Sequence, residues 1–290
     1  MLLGTAAYWL LPLMGTTWGY YAHRLVNRHA VDNLPAAMIS DDTGNAFGDW
    51  RDWLAEHSID PDENKNNDPL ESARHWVNID SKPVQYPYPF TTVPRSLPTY
   101  LSVFGRSNGV NPWEGWRDPL ERLTEAMRQR DWAEAYREAA WLGHYVADAH
   151  TPLHAVANYD GQLSADTRNR GIHSRHESGL VYRYIDNINT SASSATTVSD
   201  PVAAAFTALV KSYEVSLVVL AADLKAQDLA DDGNFNSAYY AELWRLTGAD
   251  TQERLDTAAR LTASMWYTAW DNAGRPRFTP HATSTTWIFY

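Results

Sequence analysis

Cysteine is absent from the 290 residues. This excludes disulfides and thiolate-held metals, so any transition metal must be bound by histidine, carboxylate or backbone groups. Charge is sparse as well, at 20% of residues against 44% hydrophobic, which leaves ample apolar surface for a core and excludes a disordered chain. Positive charge is in deficit, with 24 Lys and Arg against 35 Asp and Glu and a formal net charge of -11. An acidic chain repels polyanions, and no duplex-DNA binding surface is expected. Bound divalent metal would reverse that sign locally, so a phosphate-bearing substrate stays admissible. Strand-like alternation is nearly absent, as are internal repeats and low-complexity tracts, apart from a Ser/Thr-rich linker from Ser191 to Ser199.

The first seventeen residues lack charge altogether. Met1 to Thr17 includes the apolar run Leu10 to Met14 and closes on Gly15, Thr16 and Thr17, which reads as a signal peptide over 1–17 and an exported protein. A buried N-terminal segment is the alternative. The stretch is too short and interrupted for a membrane span. No linker divides the remainder, so 18–290 is expected to be one domain.

What is present is helical periodicity. Apolar spacing and stop signals predict helices over Tyr20 to Leu34, Phe47 to His57, from near Pro69 toward Val77, Pro119 to Gln129 and Asp131 to Ala149. Further helices are expected over His173 to Ile185, Pro201 to Ala226, Ser237 to Leu246 and Thr251 to Asn272. Asp60-Pro61 is read as opening a polar loop, and the five prolines from Lys82 to Pro98 as an ordered surface loop. The fold class is all-α, a single-domain multi-helix bundle.

The sequence has ten histidines, and several stand at metal-ligand spacing. His144 and Asp148 are one helical turn apart on one face, and Pro152 then breaks the helix and redirects His154. His173 and Glu177 repeat the one-turn spacing. Each pair taken alone also suits an ordinary helix-surface contact, or an acid near a helix start. Two pieces lie upstream: Trp18-Gly19-Tyr20-Tyr21-Ala22-His23 directly after the expected cleavage point, and Asp60 followed fifteen residues later by His75.

Together these residues resemble the zinc-dependent phospholipase C and single-strand-specific nuclease superfamily, over roughly Trp18 to Glu177. The resemblance implies an all-helical fold around three zinc ions. Trp18 would bind through its free amine and carbonyl, with His23 at the same ion. Asp60, His75 and His144 would hold a second ion, with Asp148 bridging the two, and His154, His173 and Glu177 would hold the third. The implied reaction is phosphodiester hydrolysis by a zinc-bridged hydroxide, in which Asp148 sets the metal spacing and Asp60 orients or deprotonates the water. Glu177 resembles the phospholipase branch. The short step from Trp18 to His23 and the run Arg74-His75-Trp76-Val77-Asn78 resemble the nuclease branch, yet Asn158-Tyr159-Asp160-Gly161-Gln162 stands where nucleases often carry Gly-Gly-Asn.

The expected substrate is therefore a phospholipid, with transient membrane-surface contact. Single-stranded nucleic acid or a 3'-nucleotide is the alternative within the superfamily, and a non-catalytic secreted zinc-binding structural protein is the alternative outside it. Trp76, Tyr86, Tyr88, Phe90 and Tyr159 are candidates to line an apolar approach or a base-stacking slot, or else belong to the core. The other histidines, His29, His57, His150, His176 and His281, are not expected as ligands; His150 suits a supporting role.

Overall fold

A computed structural model describes residues 19–229 and 234–279. Trp18, the expected signal peptide over 1–17, His281 and the C-terminal tail lie outside the described residues. Among the described residues eleven α-helices follow in order: α1 Tyr20–Ala30, α2 Ala36–Ile39, α3 Arg51–Glu56, α4 Asp60–Asn64, α5 Leu97–Phe104, α6 Asp118–Gln129, α7 Trp132–His150, α8 Ile172–Ser174, α9 Val181–Tyr184, α10 Pro201–Gln227 and α11 Ser237–Asn272. No strand occurs among the described residues, so the all-α expectation holds.

Helix α7 runs through the middle, in contact with α1, α6, α10 and α11. Its start is fixed by Asp131, whose side chain accepts from the Glu134 amide at 3.2 Å, and Pro152 stands just beyond its end. Small residues let its neighbours approach closely: Ala135, Ala139, Ala140, Ala147 and Ala149 are fully buried. At Gly143 a Cβ would lie 1.9 Å from Oδ1 of Asn27 in α1. Asn27 uses its amide to donate to the carbonyls of Leu54 and Ala140, each at 3.0 Å, which ties α1 to both α3 and α7. On the other side Trp266 of α11 donates its indole N–H to the Ala139 carbonyl at 2.9 Å.

Helices α10 and α11 are capped by Asp200, which accepts from the Ala203 amide at 2.9 Å, and by Asn236, which accepts from the Tyr239 amide at 3.0 Å. By length and composition α10 is apolar enough to cross a membrane, but it buries Val202, Phe206, Leu209, Val215 and Val219 in the core.

Three local readings of the sequence differ from the structure. Helix α11 is continuous where two pieces were expected, because the tertiary packing of buried Thr247, Gly248 and Thr251 outweighs the ~1 kcal/mol penalty of a mid-helix glycine. The helix expected from Pro69 toward Val77 is only a 3-10 turn, Ser72–Arg74. Asp60-Pro61 begins α4 rather than a loop, since proline is well tolerated in a first helical turn.

Two π-helical segments, Asn111–Arg117 and Arg175–Leu180, were not foreseen. The second carries Glu177, and such widened turns recur where a helix must re-aim a side chain.

Candidate metal centre

Asp148 stands at the centre of the histidine cluster, and like His144 it is fully buried on α7. Its Oδ2 lies 2.8 Å from Nδ1 of His75 and 3.1 Å from Nε2 of His144. Its Oδ1 lies 3.1 Å from Nδ1 of His154 and 3.8 Å from Nε2 of His23. One carboxylate thus collects four imidazoles from α1, the end of the 72–74 turn, α7 and the turn after Pro152.

The ligand-type atoms fall into three groups. His23, His144 and Asp148 form one, Asp62, His75 and His144 a second, and His154, His173 and Glu177 a third. The first two share His144. The third is nearer solvent: His173 keeps 20% of its side chain exposed, with Nε2 2.9 Å from Oε1 of Glu177, and His154 Nε2 is 3.5 Å from the same oxygen.

Backbone carbonyls fix which ring atoms face inward. His144 donates its Nδ1 proton to the Ser58 carbonyl at 2.7 Å, which turns Nε2 toward Asp148. His154 Nδ1 is 2.9 Å from the His75 carbonyl, leaving Nε2 toward Glu177. Hydrogen-bonding the far nitrogen in this way is how proteins orient metal-ligating histidines. His23 stacks on His144 with ring centroids 3.8 Å apart, is fully buried, and has no hydrogen-bond partner on either nitrogen. Neither Glu177 oxygen accepts a hydrogen bond of good geometry either.

Buried polar atoms left in this way are expensive unless something else satisfies them. A metal ion would do so: the groups combine carboxylate and imidazole donors without sulfur and could hold one. Burial would raise the Asp148 carboxyl, but the imidazoles of His144, His154 and His75 hold it well below the ordinary carboxylate range. Burial, together with the neighbouring His144, pushes His23 well below an ordinary histidine, so it stays neutral and able to bind metal.

The sequence expectations map onto this centre unevenly. His23, His75, His144, Asp148, His154, His173 and Glu177 are brought together. Asp60 is not. Its carboxylate pairs with Nδ1 of His57 at 2.9 Å, and the acid that joins His75 and His144 is Asp62, whose Oδ1 lies 3.6 Å and 3.8 Å from them. The helical phase of α4 is the reason: Asp62 turns inward with 3% of its side chain exposed, while Asp60 keeps 35%. An Asp-Pro-Asp-Glu run read as a helix start, with Pro61 in the first turn, was the available signal.

Trp18 lies outside the described residues, but Gly19 after it packs on Ser178. A Cβ on Gly19 would be 2.9 Å from Oγ of Ser178, the neighbour of Glu177.

Among the remaining histidines, His29 pairs with Asp32 at 3.3 Å. His150 donates Nδ1 to the Val146 carbonyl at 2.8 Å, and His176 is buried with Nε2 3.4 Å from Thr251 Oγ1. Of the five aromatics, Phe90 is in the core, Tyr86 packs on Phe104 and Tyr88 bonds Glu214. Tyr159 is half exposed and meets His173 edge-on at 5.7 Å.

No protein-family model matches the chain, and no curated protein matches it in sequence.

Proposed function

We propose that this chain is an exported zinc-dependent phosphodiester hydrolase of the phospholipase C type, holding three zinc ions. The observation that carries the reading is the convergence of three His/carboxylate groups about Asp148, two of them sharing His144. In the implied arrangement His23, Asp148 and the mature N-terminus at Trp18 hold one ion, Asp62, His75, His144 and Asp148 a second, and His154, His173 and Glu177 a third.

Bound zinc would neutralise the phosphate oxygens and lower the pKa of water toward about 7. The chain's own residues do the rest. Asp148 presents one oxygen to each side of the cluster and so fixes the separation of its neighbours. The carbonyls of Ser58 and His75 hold the imidazoles in one tautomer, and burial excludes bulk water from all but the His173 edge. Substrate would enter at that edge, beside Tyr159.

The test is hydrolysis by zinc-loaded protein beginning at Trp18, offered phosphatidylcholine vesicles and single-stranded DNA in one buffer. Release of a phosphorylated head group is expected. Release of nucleotides alone would move the chain to the nuclease branch, and turnover of neither would favour a zinc-stapled structural protein.

A further inference from the structure

Behind His75, on the side away from Asp148, lies a fully buried carboxylate that the cluster itself does not use. Glu71 stands four residues before His75, with Oε1 3.4 Å from its Nε2, a buried nitrogen that makes no hydrogen bond of good geometry. The hydroxyl of Tyr145, next in sequence to His144, donates to the same oxygen. The other oxygen accepts from Arg74 at 2.6 Å and Asn64 at 3.0 Å. Glu71 therefore joins the stretch from 71 to 75 to both α7 and α4 at one point.

Satisfying Arg74 does not account for its burial. Arg74 also bonds Asp68 at 2.9 Å and lies 3.6 Å from Glu114, so it keeps carboxylate partners without Glu71. Nor does Arg74 face the cluster: it lines a polar cleft with Asn64, Asp68, Glu114 and Tyr145. The segment is clamped from behind, because Asn111 donates to the carbonyls of Arg74 and Tyr145 at 2.9 Å and 3.0 Å, and Trp116 donates to the latter at 3.0 Å. Oε1 is thereby held toward the one nitrogen of His75 that the cluster leaves over.

We infer that Glu71 is a positioning residue for metal binding, its carboxylate drawing the proton of His75 to Nε2 so that Nδ1 faces Asp148, Asp62 and His144 as a ligand. The inference rests on the metal reading of the proposed function and assigns His75 the opposite ring atom to His144 and His154. A carboxylate on the far nitrogen also raises the basicity of the ligating one. Loss of such a partner typically weakens metal affinity 10–100-fold.

Zinc affinities of the wild type and Glu71→Gln are to be measured by competition with a chromophoric chelator, and melting of both chelated proteins recorded. The expected result is one zinc equivalent weakened about 10–100-fold, with the other equivalents and the melting of the chelated protein nearly unchanged. Should Glu71→Gln fail to fold, Glu71→Asp keeps the charge but falls short of Nε2, and the same weakening is expected. In 15N-histidine-labelled protein loaded with 113Cd, the coupling to His75 is expected at Nδ1 and that to His144 at Nε2. Unchanged affinity in a folded variant, or coupling to His75 Nε2, overturns the inference and leaves the proposed function standing. A wild type that binds no metal overturns both.

Discussion

Asp60 and Asp62 are two residues apart and both acidic, yet they face different surroundings. The first holds His57 at a half-exposed position, and the second points at His75 and His144. Asp62→Asn is therefore expected to lose more than about 100-fold in hydrolysis and to release metal, since a ligand should matter more than the 10–100-fold typical of its supporting partners. Asp60→Asn is expected to stay within a few-fold of wild type. Parallel activity and metal-content measurements check the pair, and the reverse order would return Asp60 to the site. Of the nine residues expected at the site, seven fall in the three candidate groups and Trp18 lies outside the described residues; the seven were legible because imidazole and carboxylate spacing survives in sequence as one-turn pairs and ordered blocks. Asp62 was not, because choosing between two acids needs the phase of a five-residue helix that Pro61 made look like a loop.

At the scale of elements, the cluster depends on how closely α1 approaches α7 and how the π-helical segment is anchored. Gly143→Ala would drive a methyl into Asn27, one residue from His144. A loss of about 1–3 kcal/mol in unfolding free energy is expected, together with weaker metal binding as His23 moves off His144. Arg175 anchors the segment bearing Glu177 through a buried pair with Asp223 on α10, at 2.8 Å. Asp223→Ala would leave that guanidinium uncompensated, and a loss of about 3–5 kcal/mol is expected in urea titration. Little change in either titration would mean that these contacts are incidental. The long helices α7 and α10 could be read from periodicity and caps, whereas the two π segments could not. A π turn arises from tertiary demands on one residue, such as Glu177, and leaves no period of its own. The continuity of α11 was hidden for the related reason that packing, not propensity, carries Gly248.

For the whole molecule, the formal charge of -11 and the buried His/carboxylate groups describe a chain that could hold cations. Metal that binds the folded state alone also stabilises it, by RT ln(1 + [L]/Kd), so chelation is expected to lower the melting temperature as well as activity. Export would deliver the free amine of Trp18 that an unprocessed chain lacks, and one residue added before Trp18 is expected to remove a single metal equivalent without unfolding the protein. The most direct test of the account is the zinc content of protein beginning at Trp18, followed through chelation and reconstitution with hydrolysis assayed at each step. Three zinc ions per chain, lost and regained together with activity, are expected; less than one ion per chain, or full hydrolysis in chelated protein, would contradict it.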